Sequence, residues 1–282
     1  MSTLIRFLFH RDPLDASLFI IRIGLCLLAF WFFVSHWNDS PIWFGENGIA
    51  SQQTLSNFFD TADMAGEAAW YLSPLYWTTS TTVIRAYLIA GMALAIAAAL
   101  YPSRLLSVPL WLACVGLANR GFLIAGTEDA LLCSGLAYLA IARPLDCQFR
   151  TVTQEHWCTV LSRRMFQVHV TVLLIITGWS MLSSPIWWDG TASISIAAPT
   201  GRRLLDVTSW VSSPWIHEPL THAILLTTLA APLMLWVPKT RSFAVIAVVI
   251  WCVTLAILSS QWLYLSTLAV CVQSFWRQTP TQ

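Results

Sequence analysis

The sequence predicts an all-α, polytopic transmembrane bundle of about eight helices, and three observations carry that prediction. Hydrophobic residues make up 57% of the 282 residues and charged residues only 10%. Mean hydropathy is +0.65. A soluble domain carries about 25% charged residues, so this chain lacks the polar side chains to clothe a water-facing surface. Apolar runs of a length suited to a bilayer core of about 30 Å recur along it. The cations between those runs fall mostly on alternate turns. Composition thus excludes an ordinary soluble enzyme, and a net charge of +1 without a basic stripe excludes a nucleic-acid binder.

The first run, Ser17–Ser35, follows sixteen residues and lacks a small-residue cleavage site. It reads as a retained helix rather than a signal peptide. Thr82–Tyr101, Leu105–Leu123 and the short Asp129–Arg143 come next, then Met165–Ser183, Thr221–Val237, Phe243–Leu258 and Trp262–Trp276. Gly24, Gly91, Gly116 and Gly135, with many alanines, suit close helix contact in lipid. No internal repeat or low-complexity tract interrupts the pattern, so residues 1–282 read as one membrane domain.

With the N-terminus in the cytoplasm, ten cations fall on inner segments: Arg6, Arg11, Arg104, Arg143, Arg150, Arg163, Arg164, Lys239, Arg241 and Arg277. Only Arg120, Arg202 and Arg203 fall on outer ones, while Arg22 and Arg85 lie inside helices. This is the positive-inside pattern of a bacterial inner-membrane protein with both termini cytoplasmic. The exported segments are then about 36–81 and 184–220, and residues 36–81 hold five acidic residues and no Lys or Arg.

Cys147 and Cys158 fall in the inner segment Arg143–Arg164 and the other five cysteines in helices, which argues against structural disulfides. Of sixteen tryptophans, Trp37, Trp43, Trp70, Trp77, Trp187, Trp188, Trp210 and Trp215 sit in or beside exported segments, the depth an amphipathic indole prefers.

Ionisable groups inside a membrane are costly and mark packed polar networks or ligand paths. The topology puts Arg85, Asn119, Arg120, Glu128, Asp129, Asp189, Glu218 and His222 near the outer ends of their helices, where they form a candidate polar site. In the plainer alternative Arg120 pairs with Asp129 across a tight turn and Arg85 reaches outward to the interface. Arg22, some way into the first helix, needs an acid, a carbonyl or a headgroup, and Asp12 and Asp15 are its neighbours in sequence. His169 reads as a packing residue.

The string His217-Glu218-Pro219-Leu220-Thr221-His222 is not a zincin motif. Zinc-binding helices space two His at i and i+4, whereas a spacing of five turns the imidazoles about 140° apart at 100° per residue. Pro219 suits a helix start. No metal site, nucleophile triad or phosphate loop is expected from the sequence, and Gly45-Glu46-Asn47-Gly48 is a turn signal.

The order of several segments resembles the HTTM family: Phe19-Ile20-Ile21-Arg22-Ile23-Gly24, then Trp43-Phe44-Gly45-Glu46-Asn47-Gly48-Ile49, then Asn119-Arg120 and Gly126-Thr127-Glu128-Asp129-Ala130-Leu131-Leu132. Gln167-Val168-His169-Val170, Thr177-Gly178-Trp179-Ser180-Met181-Leu182 and Trp187-Trp188-Asp189-Gly190 look like that family's fifth-helix exit. The family comprises membrane domains related to vitamin K-dependent gamma-carboxylase and to sporulation-delaying protein B. The resemblance implies the helical fold and makes Arg22 a family-matched intramembrane residue. It also implies a lysine just after the fifth-helix glycine in carboxylases, and here Ser180 and Met181 stand there. Neither can act as a desolvated amine. The only lysine, Lys239, lies in a turn assigned to the opposite side, and the carboxylases' later histidine has no match at Trp251–Ser260.

The leading functional expectation is therefore an HTTM-type protein that assists processing, export or immunity of a secreted peptide, with the bilayer and an exported peptide or membrane protein as partners. The alternatives are a membrane modification enzyme using a quinol-like lipid, with Asp129, Glu218 or His222 as proton acceptor, and a transporter of lipids or small solutes.

Overall fold

A computed structural model describes residues 17–46, 48–61, 73–121, 125–142, 156–198, 206–259 and 261–276. Among them the chain is helical, with no strand. The helices are α1 Ser17–Ser35, α2 Ser40–Phe44, α3 Gln52–Thr61, α4 Thr81–Leu100, α5 Arg104–Arg120, α6 Thr127–Ile141, α7 Trp157–Leu182, α8 Pro185–Trp188, α9 Ala192–Ala197, α10 Thr208–Val211, α11 Pro214–Trp236, α12 Arg241–Leu258 and α13 Trp262–Cys271. Short 3-10 turns cover Pro74–Trp77 and Val272–Phe275.

A helix stands at each of the eight places the apolar runs mark. By length and composition α1, α4, α7, α11 and α12 can each cross a membrane, the character of an integral membrane protein. The helices α5, α6 and α13 have 17, 15 and 10 residues.

Two helices begin earlier than their hydropathy indicates. α7 starts at Trp157, where the His156 imidazole accepts the Cys158 N–H at 3.3 Å and serves as the cap. This moves Cys158, Arg163 and Arg164 from a turn onto a helix, and Arg163 is buried. α11 starts at Pro214, the first-turn position its ring favours. Pro219 is consequently inside the helix rather than at its start. Its ring has no N–H to donate to the Trp215 carbonyl, and Trp215 is 90% exposed.

The contacts divide the chain into two compact units, Arg22–Val152 and Met1–Ile21 with Thr153–Gln282. In the first, α4 and α5 form an antiparallel hairpin, and α5 packs on α6. Arg104 donates from Nε to the Ala142 carbonyl (3.1 Å) and from Nη2 to the Ile141 carbonyl (2.7 Å). It thereby satisfies acceptors that the end of α6 leaves open. α1 and α4 meet where Gly91 faces the Phe33 ring.

In the second unit α11 packs on α7 and α12, and α12 on α13. Apolar packing is supplemented by paired polar groups. Gln167 Nε2 donates to the Ser274 carbonyl at 2.8 Å, and Trp236 Nε1 to Thr171 Oγ1 at 3.0 Å. The Trp236 ring also meets Phe275 edge to face, centroids 5.4 Å apart.

Gly91 yields a test of the first unit's packing. A Cβ added there would lie 2.6 Å from Phe33 Cε1 and Cζ, and Phe33 is wholly buried. We predict that Gly91→Ala destabilises the purified protein by about 1–3 kcal/mol, the usual cost of overpacking. Thermal or denaturant unfolding in detergent reads the change. An unaltered midpoint would mean the two helices separate freely at this point.

Candidate functional site

In the first unit the hairpin geometry gathers the predicted polar residues at one end: the start of α4, the end of α5 and the start of α6. Arg85, on the first turns of α4, is exposed and holds its guanidinium over the Trp37 ring, 5.4 Å from the centroid. That is a cation–π contact with a partly exposed indole. Asn119 is half-buried on the last turn of α5.

Glu128 and Asp129 open α6, and both turn back on their own helix. Asp129 Oδ2 accepts the Gly126 N–H at 3.2 Å. The Glu128 carboxylate lies against the place a Gly126 side chain would fill. The Arg120–Asp129 pair, the plainer of the two readings, is therefore not formed. The local cap wins because an acid in the first turn reaches an open N–H without ordering any further chain.

Arg120 is the exceptional member. It ends α5 with its side chain 0% exposed, among the largest fully buried side chains of the protein. The guanidinium lies over the Tyr76 ring, 5.5 Å from its centroid. Among the described residues Nε, Nη1 and Nη2 find no hydrogen-bond acceptor. Burying an ion without a counter-charge costs several kcal/mol even after relaxation.

Tyr76 is set in place by a dense local network. Ser73 Oγ donates to the Gly116 carbonyl at 2.5 Å and accepts the Leu75 N–H at 3.2 Å, while Tyr87 Oη donates to the Ala113 carbonyl at 2.8 Å. Sequence reasoning missed Tyr76 and Ser73. The Ser73-Pro74 pair, a cap followed by proline, is the signal that could have found the turn.

In the second unit the remaining predicted residues lie around the start of α11. Asp189, Glu218 and His222 are exposed. His222 Nδ1 bonds the Glu218 carbonyl at 2.8 Å. His217 is buried and its Nδ1 bonds the Val211 carbonyl at 3.1 Å, so the two histidines occupy unlike environments, as their spacing requires.

Behind them is a buried hydroxyl pair. Thr221 Oγ1 donates to Ser193 Oγ at 3.0 Å and accepts the Ser193 N–H at 3.1 Å, while Ser193 Oγ donates to the His217 carbonyl at 3.1 Å. Every donor in that chain has an acceptor, which fits a fastening of α9 onto α11 rather than an activated nucleophile. Gly190 precedes it at φ +73°, with Glu218 Cγ 3.0 Å from where a Cβ would stand.

Of the residues singled out by the resemblance, Ser180 is exposed and Met181 buried on the last turn of α7. Arg22 is buried to 9% exposure, while Asp12 and Asp15, its neighbours in sequence, lie outside the described residues, as do Cys147, Arg202 and Arg203. An apolar groove of about 290 Å³ runs between α11 and α12, lined by Leu220, Ile224, Phe243, Ile246, Ile250 and Trp251 among others. Trp251 is buried, and its Nε1 has no acceptor among the described residues.

Two outcomes follow from these environments. Gly190→Ala forces an L side chain into the left-handed region against Glu218, and we predict a loss of about 1–3 kcal/mol in unfolding free energy. Unchanged unfolding would show that this turn relaxes. His36, just past α1, bonds the Phe32 carbonyl through Nδ1 at 2.8 Å. Burial pushes its pKa below the ordinary 6.5, outweighing the carbonyl and Asp39, which act to raise it. The unfolded chain then binds the proton more readily, so stability is full above about pH 6.5 and falls as the pH drops from there towards the folded value. Unfolding midpoints from pH 8 to pH 5, about the range in which imidazole titrates, should fall more steeply for the native protein than for His36→Gln. Parallel curves would contradict the assignment.

No protein-family model, curated protein or solved structure matches this chain.

Proposed function

We propose that this chain is an HTTM-type protein of the bacterial inner membrane, with eight crossings and both termini cytoplasmic. In this reading it assists processing, export or immunity of a secreted peptide and does not carboxylate. The observation that carries the proposal is that the described residues of the two segments assigned to the outer face are folded. They carry short helices, α2 and α3 in one and α8, α9 and α10 in the other. Across them Trp77, Trp188 and Trp210 are 78%, 59% and 73% exposed, as is Trp215 at the start of α11. Aromatic side chains on such short elements supply both interfacial anchoring and a surface for a partner. Ser180 and Met181, at the positions matched to the carboxylase lysine, offer no amine.

A quinol-linked modification enzyme is the second reading. The apolar groove beside Trp251 favours it, because a lipid-soluble reductant needs an apolar surface with a hydrogen-bond donor. A transporter has no such observation in its support.

Deletion of the gene tests the first reading. The secreted peptides and the toxin resistance of the deletion strain are compared with those of the parent, and the deletion is complemented with the native chain and with Trp210→Ala/Trp215→Ala. We expect a secreted peptide species or a resistance to be lost, restored by the native chain and restored less by the double variant. An unchanged set of exported peptides together with unchanged resistance would contradict the proposal.

A further inference from the structure

Arg120 carries a charge that the described polypeptide does not balance. A guanidinium keeps its proton at any accessible pH, and this one is fully enclosed with three nitrogens lacking acceptors among the described residues. The acids nearest in sequence are committed elsewhere, Asp129 to the Gly126 N–H and Glu128 to the space beside Gly126. A leucine or methionine would fill the same space without the desolvation cost, so packing alone does not account for an arginine here.

The geometry restricts what the missing partner is. Tyr76 covers one face of the guanidinium, so the acceptor must come in the plane of the group, where its N–H donors form a rigid fork. A planar group with two oxygens meets such a fork with two parallel hydrogen bonds. A tetrahedral phosphodiester would bring two bulky esters into a space that leaves Arg120 no exposed surface. The cover is a short element. Tyr76 lies in the 3-10 turn Pro74–Trp77, tied to α5 by the Ser73–Gly116 hydrogen bond.

We infer that Arg120 is a receptor for a carboxylate, with the turn Pro74–Trp77 as its cover. The carrier, an exported peptide presenting its C-terminus or an acidic side chain, rests on the function proposed above, while carboxylate binding itself does not.

The test uses the purified full chain in nanodiscs of zwitterionic phosphatidylcholine. Its unfolding midpoint is measured in sodium acetate, sodium phosphate and sodium chloride at equal ionic strength. We expect acetate to raise the midpoint by about 2–4 °C over chloride, as a ligand specific to the folded state does, and phosphate to have no such effect. Arg120→Met should unfold at a higher temperature than the native chain in chloride and ignore acetate, while Arg120→Lys keeps a reduced response. Tyr76→Ala leaves the arginine in place and uncovers it, so it should reach half of its response at a lower acetate concentration.

An absent acetate response, a response that survives Arg120→Met, or an unaltered concentration dependence in Tyr76→Ala overturns the inference. So does a phosphate response exceeding that of acetate, or stabilisation seen only in phosphatidylglycerol nanodiscs, either of which assigns the arginine to a phosphate. An acetate response alongside unchanged exported peptides removes the peptide reading alone. The opposite combination removes the carboxylate site alone.

Discussion

Inside a bilayer no water is present to meet an unpaired N–H or C=O, and this requirement shapes the described helices. Helices answer it for the backbone, since each bond closes within a single segment. The side chains follow the same rule. Arg104 closes the end of α6, Ser73 the turn beside α5, Gln167 the 3-10 turn at Ser274, and Thr221 with Ser193 the seat of α9. Against that background the guanidinium of Arg120 stands out. It is a permanent charge, enclosed and without a hydrogen-bond acceptor among the described residues, and that is the position we assign to a carboxylate.

The polar groups also divide by purpose. Hydroxyls and amides that bond backbone carbonyls fix one helix against another and have nothing left to give a ligand. Arg85 over Trp37 is exposed and held by a soft, adaptable contact, which is the behaviour of an interfacial anchor. Asp189, just past α8, and Glu218 and His222, on the first turns of α11, are exposed. Only a group that is buried, charged and free of a hydrogen-bond acceptor combines stored desolvation energy with unspent hydrogen-bonding capacity.

Much of the helical layout was legible in the sequence because hydropathy and charge bias act over whole segments. The starts of α7 and α11 were not, because they depend on single residues. A histidine cap at His156 lies outside the usual set of Ser, Thr, Asp and Asn, and Pro219 continues a helix that already starts at Pro214. At the candidate site the sequence placed Arg85, Arg120, Glu128 and Asp129 near helix ends. It left open a shared outward polar site and an Arg120–Asp129 pair, and it did not foresee Asp129 accepting the Gly126 N–H, because only the three-dimensional path of the turn fixes that choice. Tyr76 was invisible for a related reason: its contact with Arg120 joins residues far apart in the chain.

The account depends on one topological claim, that the Arg120 end of its helix opens to the outside of the cell. Single cysteines in a cysteine-free background, labelled in intact cells with a membrane-impermeant maleimide, test it most directly. Ser80→Cys and Ser212→Cys, both at exposed positions, should label in intact cells, whereas Tyr101→Cys and Lys239→Cys should label only after the membrane is permeabilised. The reverse pattern, or labelling of Ser80→Cys and Tyr101→Cys from the same side, would contradict the account, because α4 would then not cross the bilayer as it requires.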